Sequence, residues 1–128
     1  VSDAKPVIVV LDDDSAVLDS LRFLLGIEGY DVRTYTSPNE LLNDRSLPVF
    51  AGLIVDYHMP TMTGLDVISK LRERQNSILA ILITGRPDAK IRGDASTAGV
   101  PIIEKPFRGT ALMECIHRVL GEEPLQLL

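Results

Sequence analysis

Four short apolar runs in this chain each lead into a chemically active side chain, and few folds accommodate that pattern. Pro6-Val7-Ile8-Val9-Val10-Leu11 runs into Asp12-Asp13-Asp14. Gly52-Leu53-Ile54-Val55 ends on Asp56, and Tyr57-His58-Met59-Pro60 then breaks the strand. Ile78-Leu79-Ala80-Ile81-Leu82-Ile83 runs into Thr84-Gly85, and Ile102-Ile103 passes through Glu104 to Lys105-Pro106. A strand apolar at every position suits a parallel sheet covered on both faces. In an open parallel sheet the strand ends share one edge, and ligands bind at that edge.

The segments between these runs read as crossover helices. Val17, Leu21, Leu24 and Leu25 recur at helical spacing and predict a helix over about 15–28 with those residues inward, ended by Gly29. Asp31 to Tyr35 alternates and predicts a partly exposed strand. Ser37-Pro38-Asn39-Glu40 has the form of a capping box and starts a short helix reaching about Asp44. A helix over about 64–74 turns Leu65, Ile68 and Leu71 inward. Another over about 109–120 turns Leu112, Ile116, Val119 and Leu120 inward, and Gly121 stops it. Pro87 to Gly99 has one large apolar residue, Ile91, and an internal glycine, Gly93. Such a glycine costs about 1 kcal/mol relative to alanine, so a short or mobile helix is expected there.

Alternating strands and helices call for right-handed crossovers and helices on both faces of a parallel sheet. The expected fold is α/β: a single doubly wound, flavodoxin-like domain with five helices and five parallel strands in the order 2-1-3-4-5. The chain has 128 residues, one domain's length, and 45% are hydrophobic, enough for one packed core. Residues 5–121 are expected to form the domain, with 122–128 a tail or the start of a linker. No apolar run approaches a bilayer span and no signal peptide opens the chain, so no membrane role is expected. A lone cysteine, Cys115, rules out an internal disulfide and fits a reducing, cytoplasmic setting; it reads as inert packing. The net charge of −5 argues against direct nucleic-acid contact by this domain.

In the 2-1-3-4-5 order the first and third strands are neighbours, so Asp12, Asp13 and Asp56 meet in one crevice. Two carboxylates about 4 Å apart repel by roughly 4 kcal/mol at an effective dielectric near 20. A counter-ion is therefore implied, and hard oxygen ligands suit Mg²⁺, with Mn²⁺ as a substitute. Lys105 adds positive charge. A carboxylate beside a cation and a lysine can attack a phosphoryl group and form an acyl phosphate. The Thr84 hydroxyl can donate to one of the transferring oxygens. One of Asp14 and Ser15 is the expected N-cap of the first helix. Met59 and Met62 read as loop packing.

Asp12-Asp13, the run Asp56-Tyr57-His58-Met59-Pro60-Thr61-Met62-Thr63-Gly64, Thr84-Gly85 and Lys105-Pro106-Phe107, in this order and spacing, resemble the receiver domain of two-component response regulators, over about residues 5–120. The resemblance implies that Asp56 accepts a phosphoryl group from a histidine kinase or phosphotransfer protein. It implies that Asp13 ligates Mg²⁺ directly, that Asp12 acts mostly through water, and that Asp56 and the His58 backbone carbonyl complete the set. Lys105 would pair with Asp56 or its phosphate, Thr84 would move to bind the phosphoryl group, and the bond before Pro106 would be cis. The output would be a face formed by the fourth helix, fifth strand and fifth helix, engaging an output domain, a downstream protein or a second copy in a phosphorylation-dependent dimer.

The chain departs from the family pattern at Ile102, where an aromatic residue is usual. A switch without that ring would rely on Thr84 and on the segment 87–99. His58 and Arg86, two residues after the acceptor and the threonine, are candidates for setting the acyl-phosphate lifetime. A switch of this kind is not a turnover enzyme; at most it phosphorylates itself from small phosphodonors and loses the group again. Two alternatives stand beside it. A haloacid-dehalogenase-like phosphatase would use Asp12 as its nucleophile, with Thr84 and Lys105 following in order. A docking-only receiver would have given up phosphorylation.

Overall fold

The computed structural model describes residues 5–75 and 78–121. The tail expected over 122–128 lies outside the described residues. Five strands alternate with five helices: β1 Val7–Leu11, α1 Ser15–Ile27, β2 Asp31–Tyr35, α2 Pro38–Leu42, β3 Gly52–Asp56, α3 Gly64–Arg74, β4 Ala80–Thr84, α4 Ala89–Ala98, β5 Ile102–Glu104 and α5 Gly109–Leu120. The strands form one parallel sheet in the expected order, β2-β1-β3-β4-β5.

Successive strand residues point to opposite faces, and the two resulting cores divide along that alternation. Val9, Leu11, Leu53, Val55, Ala80 and Leu82 pack under α2, α3 and α4 with Leu41, Ile68, Leu71 and Ile91. Ile8, Val10, Ile54, Ile81, Ile83 and Ile103 pack under α1 and α5 with Leu21, Leu25, Leu112 and Ile116. Each fully buried aliphatic side chain contributes about 1.5–3 kcal/mol, so the central strands are secured from both sides.

Several helix faces sit slightly off the expected stripes. In α1 the buried residues are Leu18, Leu21 and Leu25, while Val17 and Leu24 are half-buried. Leu18 belongs to the 3–4 spacing that Leu21 and Leu25 define, and Leu24 turns instead toward α5, where it meets Gly109. In α3 Val67 joins Ile68 and Leu71 inside, and Leu65 is half-buried. In α5 Leu112, Cys115 and Ile116 are buried, and Val119 and Leu120 are half-covered at the helix end. Strand β4 begins at Ala80, two residues later than the apolar run; the Ile78 carbonyl accepts from the Arg72 guanidinium, and the Leu79 carbonyl accepts from the Leu53 N–H of β3. Helix α2 stops at Leu42; Asp44 is held outside it by the Tyr35 hydroxyl and by Ser46.

The segment read as a short or mobile helix is a ten-residue helix, α4, with both ends satisfied. The Asp88 side chain accepts from the Ile91 N–H at 2.9 Å, and Gly99 closes the other end at φ 69°, where a side chain would be strained. The Arg72 guanidinium donates to the Ala98 carbonyl at 2.6 Å, supplying the positive charge that α4 lacks in its last turn. Caps, and not an apolar stripe, define this helix. No helix of the described residues is long and apolar enough to cross a membrane.

Candidate functional site at the carboxyl edge of the sheet

Strand register brings the site together. Leu11 is level with Val55, so Asp12 and Asp56 emerge side by side from β1 and β3. Asp56 is level with Ile83, and Thr84 with Glu104, so Thr84 and Lys105 follow on the same edge. Asp12 and Asp56 are buried, and Thr84 is fully so, while Asp13 is exposed.

Local structure fixes each group. The Asp12 carboxylate accepts from the Asp14 N–H at 2.9 Å, and Asp14 in turn caps α1 through the Ala16 N–H, also at 2.9 Å. Asp14, rather than Ser15, is therefore the N-cap. Behind Asp56 the chain folds back: the Gly64 N–H donates to the Tyr57 carbonyl at 3.0 Å. A Cβ on Gly64 would lie 2.6 Å from the Asp56 carbonyl oxygen and 2.9 Å from Leu82, so this close approach admits only glycine. A reciprocal capping box between Thr63 and Asp66 then starts α3. The spacing Thr63-x-x-Asp66 carried that signal in the sequence, and the reading above missed it. At Ser37 the expected box is shifted: the Ser37 hydroxyl caps Glu40, but Glu40 reaches back to the Thr36 N–H.

The Lys105 ammonium sits between two acids, 3.1 Å from Asp12 Oδ2 and 3.2 Å from Asp56 Oδ1. Ligand oxygens of Asp12, Asp13 and Asp56 all lie within 4.8 Å of one another. Burial, and then the charge of Asp12, raise the Asp56 carboxyl above its ordinary value, with Lys105 opposing. Burial lowers the Lys105 ammonium, but hydrogen bonding and charge from Asp12 and Asp56 outweigh it and leave the group raised. Three carboxylates against one ammonium leave two negative charges uncompensated. A divalent cation matches that deficit, and an all-oxygen donor set with one solvent-facing member suits Mg²⁺.

The remaining expected residues lie around this centre. The Thr84 hydroxyl oxygen accepts from the Arg86 N–H at 3.1 Å, so it is turned toward the β4–α4 loop. Its carbonyl accepts from the Lys105 N–H at 2.9 Å, which ties the two strand ends together. His58 and Arg86 are exposed on the two flanking loops. Met59 and Met62 are half-buried against the core under α3, as loop packing. The Lys105–Pro106 bond is cis. Ile102 is half-buried and packs on the α4 side of the sheet.

Residues 8–117 match the family model described as the response regulator receiver domain. The response regulator protein TodT of Pseudomonas putida is 39% identical over 126 residues, covering 98% of this chain and 56% of that protein. The transcriptional regulatory protein FixJ of Rhizobium meliloti is 34% identical over 110 residues, covering 85% of this chain and 54% of that protein. The chain thus spans about half the length of these curated relatives. Among solved structures, a CheY-like receiver domain protein from Methanospirillum hungatei superposes with a TM-score of 0.85 at 28% identity, covering 92% of this chain and 95% of that one. The chemotaxis protein CheY4 of Vibrio cholerae, at 23% identity, shares the fold with a TM-score of 0.83 over 91% of this chain and 99% of that one. Register, acidic crevice, bridging lysine and these matches agree: the chain belongs to the receiver domain family of two-component response regulators, whose members are signalling switches.

Proposed function

We propose that this domain, residues 5–121, is a phosphoryl-accepting switch with Asp56 as the acceptor. The observation that carries the reading is the Lys105 ammonium seated between the buried carboxylates of Asp12 and Asp56, with Asp13 closing the cluster. An Asp56 oxygen attacks the phosphorus of a phosphohistidine on a histidine kinase or phosphotransfer protein. A P–O bond forms as the P–N bond breaks, and the departing imidazole nitrogen keeps the electron pair and takes a proton from water. Asp12, Asp13, Asp56 and the His58 carbonyl are the groups that would hold Mg²⁺, or Mn²⁺ in its place. Bound there, the cation supplies positive charge against the phosphoryl oxygens. Lys105 supplies the same from the other side.

Thr84 then turns from the Arg86 N–H and donates a hydrogen bond from its hydroxyl to a phosphoryl oxygen. The added charge, about −1.5 to −2 at neutral pH, favours a second arrangement of the α4–β5–α5 face. That face engages an output domain, a downstream protein or a second copy of the chain in the cytoplasm, and this domain makes no nucleic-acid contact of its own. With Ile102 in place of a ring, the change runs through Thr84 and the segment 87–99. His58 and Arg86, exposed beside the acceptor, set the access of the hydrolytic water.

Acetyl phosphate with Mg²⁺ tests the reading. Mass spectrometry should place one phosphoryl group on Asp56, and Asp56→Asn should abolish it. A group on Asp12 instead would support the dehalogenase-like phosphatase. That outcome is disfavoured because one Asp12 oxygen already accepts from the Asp14 N–H, while Lys105 contacts Asp12 and Asp56 alike. No modification, together with no uptake of beryllofluoride, would leave a docking-only receiver. Phosphoryl half-lives of His58→Ala and Arg86→Ala that equal the wild type would remove those two residues from the account.

A further inference from the structure

Tyr57 has no role in the chemistry above, yet it joins the acceptor strand to α4. Its backbone is pinned: the N–H donates to the Ile83 carbonyl at 2.9 Å, and the carbonyl accepts from Gly64. Its ring is half-buried and meets the His58 ring edge-to-face, with centroids 4.8 Å apart and planes at 76°. Two open surface cavities are both lined by Tyr57. One, of about 320 Å³, opens on the acidic side beside Asp13, His58 and Pro60. The other, of about 430 Å³, lies between α3 and α4 beside Asp66, Lys90 and Asp94. Thr63 also borders both, but its hydroxyl is fixed by the capping box. Lys90 is held above its ordinary value by the hydrogen bond and charge of Asp94 and, less strongly, by the Tyr57 phenol, which puts the phenol within electrostatic reach of α4.

We propose that Tyr57 is the coupling residue of this domain: its ring moves between these two cavities and carries the state of Asp56 to the first turns of α4. The inference rests on the reading of Asp56 as acceptor. Close-packed interiors resist continuous deformation and respond by discrete rearrangement. A ring with space on two sides and its backbone anchored can make such a step where its packed neighbours cannot. A phosphoryl group on Asp56 brings three oxygens and extra negative charge into the crevice next to the smaller cavity. Displacing the ring toward α4 alters the contacts of Lys90 and Asp94, which are paired at 3.1 Å on the exposed side of that helix.

The test uses the 128-residue chain with Mg²⁺ and beryllofluoride, read by fluorine NMR for the bound group and by amide exchange over 89–98 for α4. Wild type should show a bound signal and a change in α4 exchange. Tyr57→Leu, which keeps apolar volume without the ring, should keep the bound signal while the α4 response falls by about fivefold or more, the low end of ordinary coupling between sites. Tyr57→Phe, which restores the ring, should restore the response. A full α4 response in Tyr57→Leu, or a response lost equally in Tyr57→Phe, overturns the coupling role. So does a bound signal in wild type with no change in α4, and in each of these cases the acceptor reading stands. Absence of a bound signal in wild type overturns the acceptor reading itself, and the inference falls with it.

Discussion

The β3–α3 corner and the β4–α4 corner follow one plan, strand to loop to helix, but are secured very differently. At β3–α3 a glycine lets helix and strand touch, a reciprocal capping box closes the first turn, and Val67, Ile68 and Leu71 anchor the helix from below. At β4–α4 a single aspartate caps the helix, and among the described residues its buried anchors are Ile91 and Ala95. The rest is polar: Arg72 at the far end, and an exposed pairing of Arg92 with Glu104 at 3.6 Å. Segments with few buried apolar contacts open at low free energy. The corner that holds Asp56 is therefore the more firmly seated of the two, and the corner beside it is the one that opens more readily.

The sharpest way to break that contrast is to remove the same side chain from each helix. Ile68 and Ile91 are both buried, at 1% and 4% exposure. Ile68→Ala should cost about 2–5 kcal/mol in urea unfolding, the usual range for a cavity in a rigid surround. Ile91→Ala should cost less than half as much, because α4 can settle or open around the gap. It should instead speed amide exchange across 89–98. Equal losses for the two variants would show that α4 is as firmly seated as α3.

That contrast also explains what could be read from the sequence. The strands were legible because each central one is apolar throughout, and the acids at their tips announced the edge where ligands bind. Once Asp12 and Asp56 were placed on neighbouring strands, their meeting with Lys105 followed from register alone. α4 was legible only as a short or mobile helix within 87–99, because what shapes it is Asp88, Gly99 and an arginine from α3, none of which leaves an apolar period. The stripe of α1 was read correctly at Leu21 and Leu25 but missed Leu18, because Leu18 and Val17 are adjacent apolar residues and periodicity alone did not decide which one faces the sheet. Gly64 and Tyr57 stand in the motif that carried the resemblance, but what each does there was not legible. Gly64 is required by a close approach to the Asp56 carbonyl, and the role proposed for Tyr57 rests on two cavities, properties of packing that no local pattern encodes.

The caps give a second, smaller comparison. Asp88→Ala removes the side chain that accepts from the Ile91 N–H, and Thr63→Ala removes one half of the reciprocal box on α3. Each loss is on the order of 1 kcal/mol, so the midpoints of unfolding should shift alike. The distinction should appear in native-state exchange: confined to 89–98 for Asp88→Ala, and spread over the whole domain for Thr63→Ala. Local exchange in both variants would mean that α3 also opens independently.

The rigid corner carries a cost of its own, and pH exposes it. Asp56 is raised in the folded state, so the folded protein binds its proton more tightly than the unfolded chain does. The linked stability is fully present below the unfolded value of 3.8 and is lost as pH rises through the folded value. Asp56→Asn should therefore stabilise the metal-free domain near neutral pH and flatten its stability between mildly acidic and neutral pH. Asp13→Asn should stabilise it less, since Asp13 faces solvent, while still weakening Mg²⁺ binding. Urea unfolding in a chelating buffer across that range measures both. A less stable Asp56→Asn would mean that Lys105 needs that carboxylate more than Asp12 repels it.

The smallest effect concerns the exposed pairing that ties α4 to β5. Arg92 and Glu104 are each more than half exposed, so their attraction in the resting domain should be worth about 0.2–1 kcal/mol in a double-mutant cycle of Arg92→Ala and Glu104→Ala. Its placement gives it more consequence than its strength. Glu104 is level with Thr84 and precedes Lys105, while Arg92 also donates to the Pro87 carbonyl at 3.0 Å in the loop between β4 and α4. If α4 shifts when Asp56 is loaded, this pair must lengthen or re-form. The coupling energy measured with beryllofluoride and Mg²⁺ should then differ from that measured without them. An identical coupling energy in the two states would mean that α4 and β5 move as one body, and the division between a fixed corner and a responsive one would have to be redrawn around both.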